Sequence, residues 1–140
     1  MTLSGSPLSG AETEFVASAR VAYLATTRMD GTPHVVPISP VLDLDRLIFA
    51  TERDTVKVRN IRDNPFAAVC FDEYHEDWSL LKQVLIYGAP YFIETGIEFG
   101  RDRTLLYEKY TQYEASSPIE ESTSVIVEIE IERASTWGFG

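Results

Sequence analysis

The segment at residues 123–133, TSVIVEIEIER, alternates apolar with polar or charged side chains. This period of two predicts a strand with one apolar face, because successive side chains of a strand point to opposite sides of the sheet. Five other segments have the length and the β-branched or aromatic content of strands. The six predicted strands span residues 21–28, 33–42, 47–51, 66–71, 82–94 and 123–133. An apolar strand face must be covered, so the chain is expected to fold as a sheet around a core.

Helices are predicted at three places between these strands. They span residues 11–20, residues 54 or 55 to about 63, and residues 101–113, where three tyrosines are spaced three apart on one face. The helices are inserted without the regular alternation of βαβ units. The pattern therefore favours a mainly β fold, a small six-stranded antiparallel barrel with short peripheral helices, over a doubly wound sheet.

The first two strands carry the strongest local signals. Asp30-Gly31 predicts a tight hairpin between them. The second strand contains Pro33, Pro37 and Pro40, and proline cannot donate a hydrogen bond to a sheet. This strand is therefore expected to lie at an edge or to contain a bulge, where a flat ligand could contact the backbone.

The length of 140 residues, with 44% hydrophobic residues, suits one domain with a real core. Residues 1–10 are rich in Ser, Gly and Pro and predict a flexible lead-in to a single domain at 11–140. The start of the chain lacks the pattern of a signal peptide, and no apolar run has membrane-spanning length, so a cytoplasmic protein is expected. The single cysteine, Cys70, excludes an internal disulfide.

The net charge of −10, from 22 acidic and 12 basic residues, argues against nucleic acid and anionic membranes as partners. Four of the 12 basic residues nevertheless fall within ten positions: Arg53, Lys57, Arg59 and Arg62. The helix expected here would present free backbone N–H groups, the Thr55 hydroxyl and the Lys57 ammonium, which together predict a phosphate site. The alternative is a solvated helix whose basic residues offset neighbouring acids, and charge alone favours that alternative.

The segments LATTRMDGTPHVVPIS and RLIFATERDTVKVRNIRDNP resemble the flavin-binding split-barrel superfamily, which contains the pyridoxine 5'-phosphate oxidases and related flavin- or deazaflavin-dependent oxidoreductases. The similarity extends over about residues 14–138, and the pattern T-x-x-x-T-x-K-x-R-N at Thr51 to Asn60, continued to Pro65, is its most specific part. The resemblance implies a split barrel and a homodimer that binds FMN, or alternatively a deazaflavin coenzyme, between its subunits.

The resemblance also implies the site residues. Thr51, Thr55 and Lys57 would bind the cofactor phosphate, while Gln83 and Trp137 would contact the ring. The segment along the ring would consist of Val35, Val36, Pro37, Ile38 and Ser39. Two further candidates come from their positions in the sequence: His34 on the proline-containing strand and Arg59 in the basic segment.

Two departures from the oxidase pattern argue against vitamin B6 as the substrate. Val56 replaces the first of two adjacent basic residues, and no arginine follows Trp137 in the final residues WGFG. The segment DEYHEDWSLL resembles the deazaflavin branch, whereas Gln83 resembles the FMN enzymes.

The expected function is hydride transfer between a bound flavin and a small oxidised acceptor. The sequence identifies no catalytic acid or base, but because the cofactor supplies the chemistry, this does not count against an enzyme. The alternatives are a deazaflavin-dependent reductase and a non-catalytic flavin or haem carrier. No metal site is predicted, because the adjacent residues His75, Glu76 and Asp77 do not share a face in regular structure. Trp78 is predicted to be a packing residue.

Overall fold

The computed structural model describes residues 7–140 and has a mainly β fold. Its seven strands form one antiparallel sheet in the order β2-β1-β5-β6-β7-β4-β3. The strands are β1 (Ala22–Thr27), β2 (Pro33–Ile38), β3 (Val41–Asp43), β4 (Arg46–Glu52), β5 (Ala67–Glu73), β6 (Lys82–Ile93) and β7 (Ser124–Trp137). The helices are α1 (Gly10–Ser18), α2 (Val56–Asp63), α3 (Gly96–Lys109) and α4 (Gln112–Ser116), with a 3-10 turn at Trp78–Leu80.

The seventh strand arises because the predicted strand at 33–42 divides at Ser39-Pro40. Its first part, β2, lies at one edge of the sheet, as its prolines predicted, and its second part, β3, lies at the opposite edge. Three steps of the chain, from Ile38 to Val41, can span at most about 11 Å. Seven flat strands would place their edges about 29 Å apart, so the sheet must curl until its edges are neighbours. The short link thus imposes the barrel-like curvature.

The predicted hairpin at Asp30-Gly31 is confirmed, and the pairing of β6 with β7 contains an irregularity. Gly31 has φ +90°, and the Asp30 carboxylate accepts a hydrogen bond of 2.9 Å from the Thr32 N–H. The β6–β7 register shifts between Tyr87 and Gly88. A Cβ at Gly88 would lie 2.1 Å from the carbonyl oxygen of Glu130, so only glycine fits this close approach.

The observed helices agree with the predicted ones except at α3. The Ser9 side chain and Glu12 form a capping box at the start of α1, and α2 begins after Thr55 as predicted. The predicted helix at 101–113 was wrong at both ends, because α3 starts at Gly96 and α4 is a separate helix after Tyr110. Of the predicted lead-in, residues 1–6 lie outside the described residues, and Leu8 is buried.

The apolar residues form two clusters. The larger fills the inside of the curled sheet and includes Val16 of α1 and Ile61 of α2. The smaller lies under α3, where Phe99 and Leu106 pack against the other side of β4 and β7. Among the described residues, no helix is long and apolar enough to cross a membrane.

Two buried carboxyls also attach α3 to the sheet. Asp102 of α3 is 0% exposed and Glu128 of β7 is 1% exposed. Glu128 Oε1 accepts hydrogen bonds from Arg46 at 2.6 Å and from the Tyr91 hydroxyl at 2.8 Å. Within residues 7–140, the Asp102 oxygens and Glu128 Oε2 accept no hydrogen bond, although the Arg101 guanidinium lies 3.5 Å from Asp102 Oδ1 and 3.7 Å from Glu128 Oε2. Burial, together with the Glu128 carboxyl, raises the pKa of Asp102 to about 7, so a proton on Asp102 can serve both groups.

Candidate functional site

The end of β4 and the start of α2 form a pocket of hydroxyl and ammonium groups. The Thr51 and Thr55 Oγ1 atoms lie 3.4 Å apart, and the Thr55 hydroxyl contacts the Glu52 carbonyl oxygen at 3.3 Å. Thr55 is the N-cap residue of α2, but its side chain accepts no hydrogen bond from the helix. The first N–H groups of α2 therefore need another acceptor.

Lys57 is the cation of this pocket. It is half-buried and forms no hydrogen bond or ion pair within residues 7–140. Burial lowers the pKa of Lys57, and the charge of Glu52 only partly opposes that effect. A half-buried ammonium without an ion pair, beside two hydroxyls and a helix start, fits an anion such as a phosphate.

A cavity of about 300 Å³ opens beside these groups, and we call it the cradle cavity. It brings together five of the predicted cofactor residues, because the Ser39-Pro40 link places the end of β2 next to the end of β4. The lining residues are Val21, Pro37, Ile38, Ser39, Ala50, Thr51, Lys57 and Tyr113. The main-chain carbonyl of Pro40 accepts hydrogen bonds from Lys109 and Tyr110, so the end of α3 holds the link in place.

Sequence reasoning missed Tyr113 as a lining residue. The tyrosine spacing predicted only a helix face, whereas the break after α3 turns Tyr113 towards the cradle cavity. Its ring packs edge-on against Tyr110 with centroids 6.0 Å apart. The sequence carried no signal for this position, because the helix predicted at 101–113 ran unbroken through Tyr110.

The remaining β2 candidates point in two directions. Val35 is 61% exposed on the outer face of the sheet, while Val36 packs against the core. His34 shares the inner side with Val36, lies opposite Thr26, and has a buried Nδ1 atom without a hydrogen-bond partner in the described chain. Neither His34 nor Val36 lines the cradle cavity.

Gln83 and Trp137 lie in a different cavity of about 260 Å³, which we call the Trp137 cavity. β7 extends further than predicted, and its last residue, Trp137, is the cross-strand neighbour of Gln83. Asp72 is the neighbour of Gln83 on its other side. Within one chain, the predicted phosphate residues and these two ring residues therefore line separate cavities.

The sequence profile of the family described as Pyridoxamine 5'-phosphate oxidase matches residues 8–138. The chain belongs to this family. No curated protein sequence matches the chain.

Solved structures of other proteins share the fold of this Pyridoxamine 5'-phosphate oxidase family member. A conserved hypothetical protein from Mycobacterium tuberculosis has a TM-score of 0.80 at 22% identity, with 98% of this chain and 89% of that one covered. A FAD-binding protein from Mesorhizobium loti has a TM-score of 0.76 at 25% identity, covering 92% and 94%. HutZ, the haem storage protein from Vibrio cholerae, has a TM-score of 0.78 at 16% identity, covering 91% and 93%.

The other basic residues of the α2 segment have structural partners in this family member. Arg53 forms an ion pair with Glu94 at 2.7 Å and donates hydrogen bonds to the Glu121 carbonyl. Arg62 lies over the Phe92 ring at 4.7 Å, and Arg59 donates to the Asp54 carbonyl. Of the four basic residues, Lys57 therefore lines the cradle cavity, whereas the three arginines contact other groups of the protein.

The segment between β5 and β6 differs from its prediction at Trp78. Trp78 is 70% exposed, so the prediction of a packing residue was wrong. Its indole N–H donates to the Tyr74 hydroxyl at 3.3 Å, and Tyr74 lines the Trp137 cavity. His75 contacts Glu73 at 2.6 Å, and no cluster of three or more metal-binding side chains occurs within residues 7–140.

Proposed function

We propose that this protein binds FMN and transfers a hydride between the flavin and a small oxidised acceptor. The observation that carries the proposal is Lys57, a half-buried ammonium without an ion pair, beside Thr51 in the cradle cavity. The backbone of Pro37, Ile38 and Ser39 borders the same cavity. A phosphate at Lys57 would therefore place the rest of its molecule along the strand end that the family resemblance assigns to the ring.

Bound flavin would supply the hydride chemistry, in which two electrons and one proton pass to the acceptor while a second proton comes from solvent. The chain's own residues would bind and orient the cofactor. Thr51, Thr55 and Lys57 would hold the phosphate, and the start of α2 would add N–H donors. Tyr113 would close one side of the cradle cavity against water.

A homodimer is part of this proposal. The outer face of the sheet, formed by β2, β1, β5 and β6, carries mainly apolar side chains: Tyr23, Ala25, Val35, Pro37, Ala68, Cys70, Leu85 and Tyr87. A contiguous apolar face of this kind suits a second copy of the chain. The second copy would also bring its Gln83 and Trp137 towards the cradle cavity, since one chain keeps the two sets apart.

Light scattering is expected to give twice the mass of one chain. Val35→Asp should give the monomer mass with unchanged circular dichroism, because Val35 is already exposed within a single chain and its loss leaves no cavity in the core. A wild-type monomer that binds FMN tightly would contradict a shared site.

Trp137→Ala is expected to weaken FMN binding by roughly two- to tenfold and to change flavin fluorescence, because a stacking contact contributes modestly. The side chain is 67% exposed, so the melting temperature should stay close to that of the wild type. A large drop in melting temperature with unchanged FMN affinity would instead assign Trp137 to folding.

The experiment that tests the proposal is an absorption spectrum of the protein as purified, followed by FMN titration. A flavin spectrum supports FMN, whereas deazaflavin and haem absorb differently and would favour one of the two alternatives. The segment DEYHEDWSLL supports the deazaflavin alternative, and the structural likeness to a haem storage protein supports the carrier alternative. Reduction of a dye by the loaded, pre-reduced protein separates an enzyme from a carrier, and failure to bind any of these cofactors would overturn the proposal.

A further inference from the structure

The Trp137 cavity has acidic residues directly beside the two predicted ring contacts. Asp72, Gln83 and Trp137 form one cross-strand row at the ends of β5, β6 and β7. Directly opposite side chains in such a row have Cβ atoms about 5 Å apart. Asp72 is exposed and has no hydrogen bond or ion pair within residues 7–140. A free carboxylate thus lies next to Gln83.

The charge balance of this cavity is negative. Glu73 and Asp72 both line it, and among its lining residues within 7–140 Lys82 is the only lysine or arginine. The Lys82 ammonium lies 5.6 Å from the centre of the Phe139 ring. The pKa of Glu73 is lowered mainly by its hydrogen bond with His75 and only slightly by the charge of Lys82. The cradle cavity, by contrast, holds the unpaired Lys57. The two cavities therefore present opposite charges to a ligand.

The same cavity has exposed aromatic walls. Tyr74 and Trp137 line it, and Trp78 extends this surface through its hydrogen bond to Tyr74. All three side chains are largely exposed. Exposed aromatic faces of this kind suit a flat aromatic partner, since stacking contributes beyond simple burial.

We propose that Asp72 and Glu73 make the Trp137 cavity a site for flat neutral or cationic acceptors and disfavour anionic ones. The inference rests on the proposed function, because the acceptor must approach the ring where Gln83 and Trp137 contact it. A cationic acceptor is neutralised by the hydride from reduced flavin, whereas a neutral acceptor takes that hydride and a proton from water. Carboxylates close to its path attract a cation and repel an anion, and salt screens both effects.

The local charge can be measured without any turnover. The protein has 2 tryptophans: Trp137 lines this cavity, and Trp78 donates a hydrogen bond to Tyr74, which also lines it. Quenching of their fluorescence by caesium should exceed quenching by iodide, after each is normalised to neutral acrylamide. The Asp72→Asn/Glu73→Gln variant should lower the caesium-to-iodide ratio by roughly twofold or more at low salt.

The control variant, Glu98→Gln/Glu114→Gln, changes the net charge by the same amount at exposed residues that line neither cavity. It should leave the quenching ratio nearly unchanged. Equal changes in the two variants would show that only the overall charge acts, and this would overturn the inference.

Acceptor choice provides the second test. FMN-loaded protein, reduced with dithionite, is mixed with cationic or anionic dyes of matched potential. The wild type should reduce the cationic dye roughly fivefold faster at low salt, and Asp72→Asn/Glu73→Gln should remove most of this preference. Equal rates for both dyes in the wild type would overturn the acceptor assignment and leave the proposed function intact. Failure to reduce either dye would overturn both.

Discussion

Lys57→Ala is expected to weaken FMN binding about ten- to a hundredfold and to leave riboflavin binding nearly unchanged. A hydrogen bond to a charged group contributes about 1.5–3 kcal/mol, which corresponds to this range of dissociation constants. Lys57 has no hydrogen bond or ion pair within the described residues, so its removal breaks no internal polar contact. Riboflavin has no phosphate and should not register the loss. Titration of both ligands against both proteins measures the difference.

Arg59→Ala is the matched control for Lys57. Both residues lie in the first half of α2, but Arg59 is exposed and donates to the Asp54 carbonyl rather than facing the cradle cavity. Its removal should change FMN affinity much less. Equal losses of FMN and riboflavin binding in Lys57→Ala would show that Lys57 supports the ring or the fold, and the phosphate assignment would then be abandoned.

Asp102→Asn is expected to remove a pH dependence of stability. The pKa of Asp102 is about 7 in the folded protein, against an ordinary value of 3.8. Between these values the folded state keeps a proton that the unfolded state has lost, so the free energy of unfolding falls as the pH rises. The fall should reach about 2–4 kcal/mol and level off above the folded pKa. Asparagine cannot titrate and can donate to Glu128 at every pH.

Urea unfolding of the wild type and Asp102→Asn at several pH values measures this effect. The difference between the two proteins cancels the titration of the other carboxylates, and it should increasingly favour the variant from about pH 4 to about pH 7. A difference that stays constant over this range would contradict a shared proton.

Glu128→Gln provides the contrasting variant. Burial alone would raise the pKa of Glu128, but hydrogen bonds from Asp102 and Tyr91 and the charge of Arg46 hold it below its ordinary value. Glu128 therefore stays ionised, and its neutralisation leaves the Arg46 guanidinium without a buried anion. This variant should be less stable than the wild type throughout the pH range.

The sequence predicted the features that depend on neighbouring residues. The strand periods, the Asp30-Gly31 turn and the start of α2 after Thr55 all follow from short-range rules of backbone geometry and capping. The sequence could not predict that Pro33–Ile38 and Val41–Asp43 lie at opposite edges of one sheet, because only closure of the whole sheet decides that arrangement.

Glu128 shows a second limit. The alternating pattern of residues 123–133 placed Glu128 on a polar face, yet α3 covers that face and buries the carboxyl. A period of two says which residues share a side of a strand, but it does not say what packs there. The same limit applies to Tyr113, whose position depends on where α3 ends.

The Ser39-Pro40 link has a mechanical consequence. It joins β2 at one edge of the sheet to β3 at the opposite edge, and only two residues separate these strands. Any flattening of the sheet would therefore pull Ser39 away from Thr51 and widen the cradle cavity directly. The Pro40 carbonyl accepts hydrogen bonds from Lys109 and Tyr110, so a shift of α3 against the sheet would also move the Ser39-Pro40 link. The width of the cradle cavity should therefore depend on how tightly the sheet is curled, and the contacts at the end of α3 should restrain that curvature.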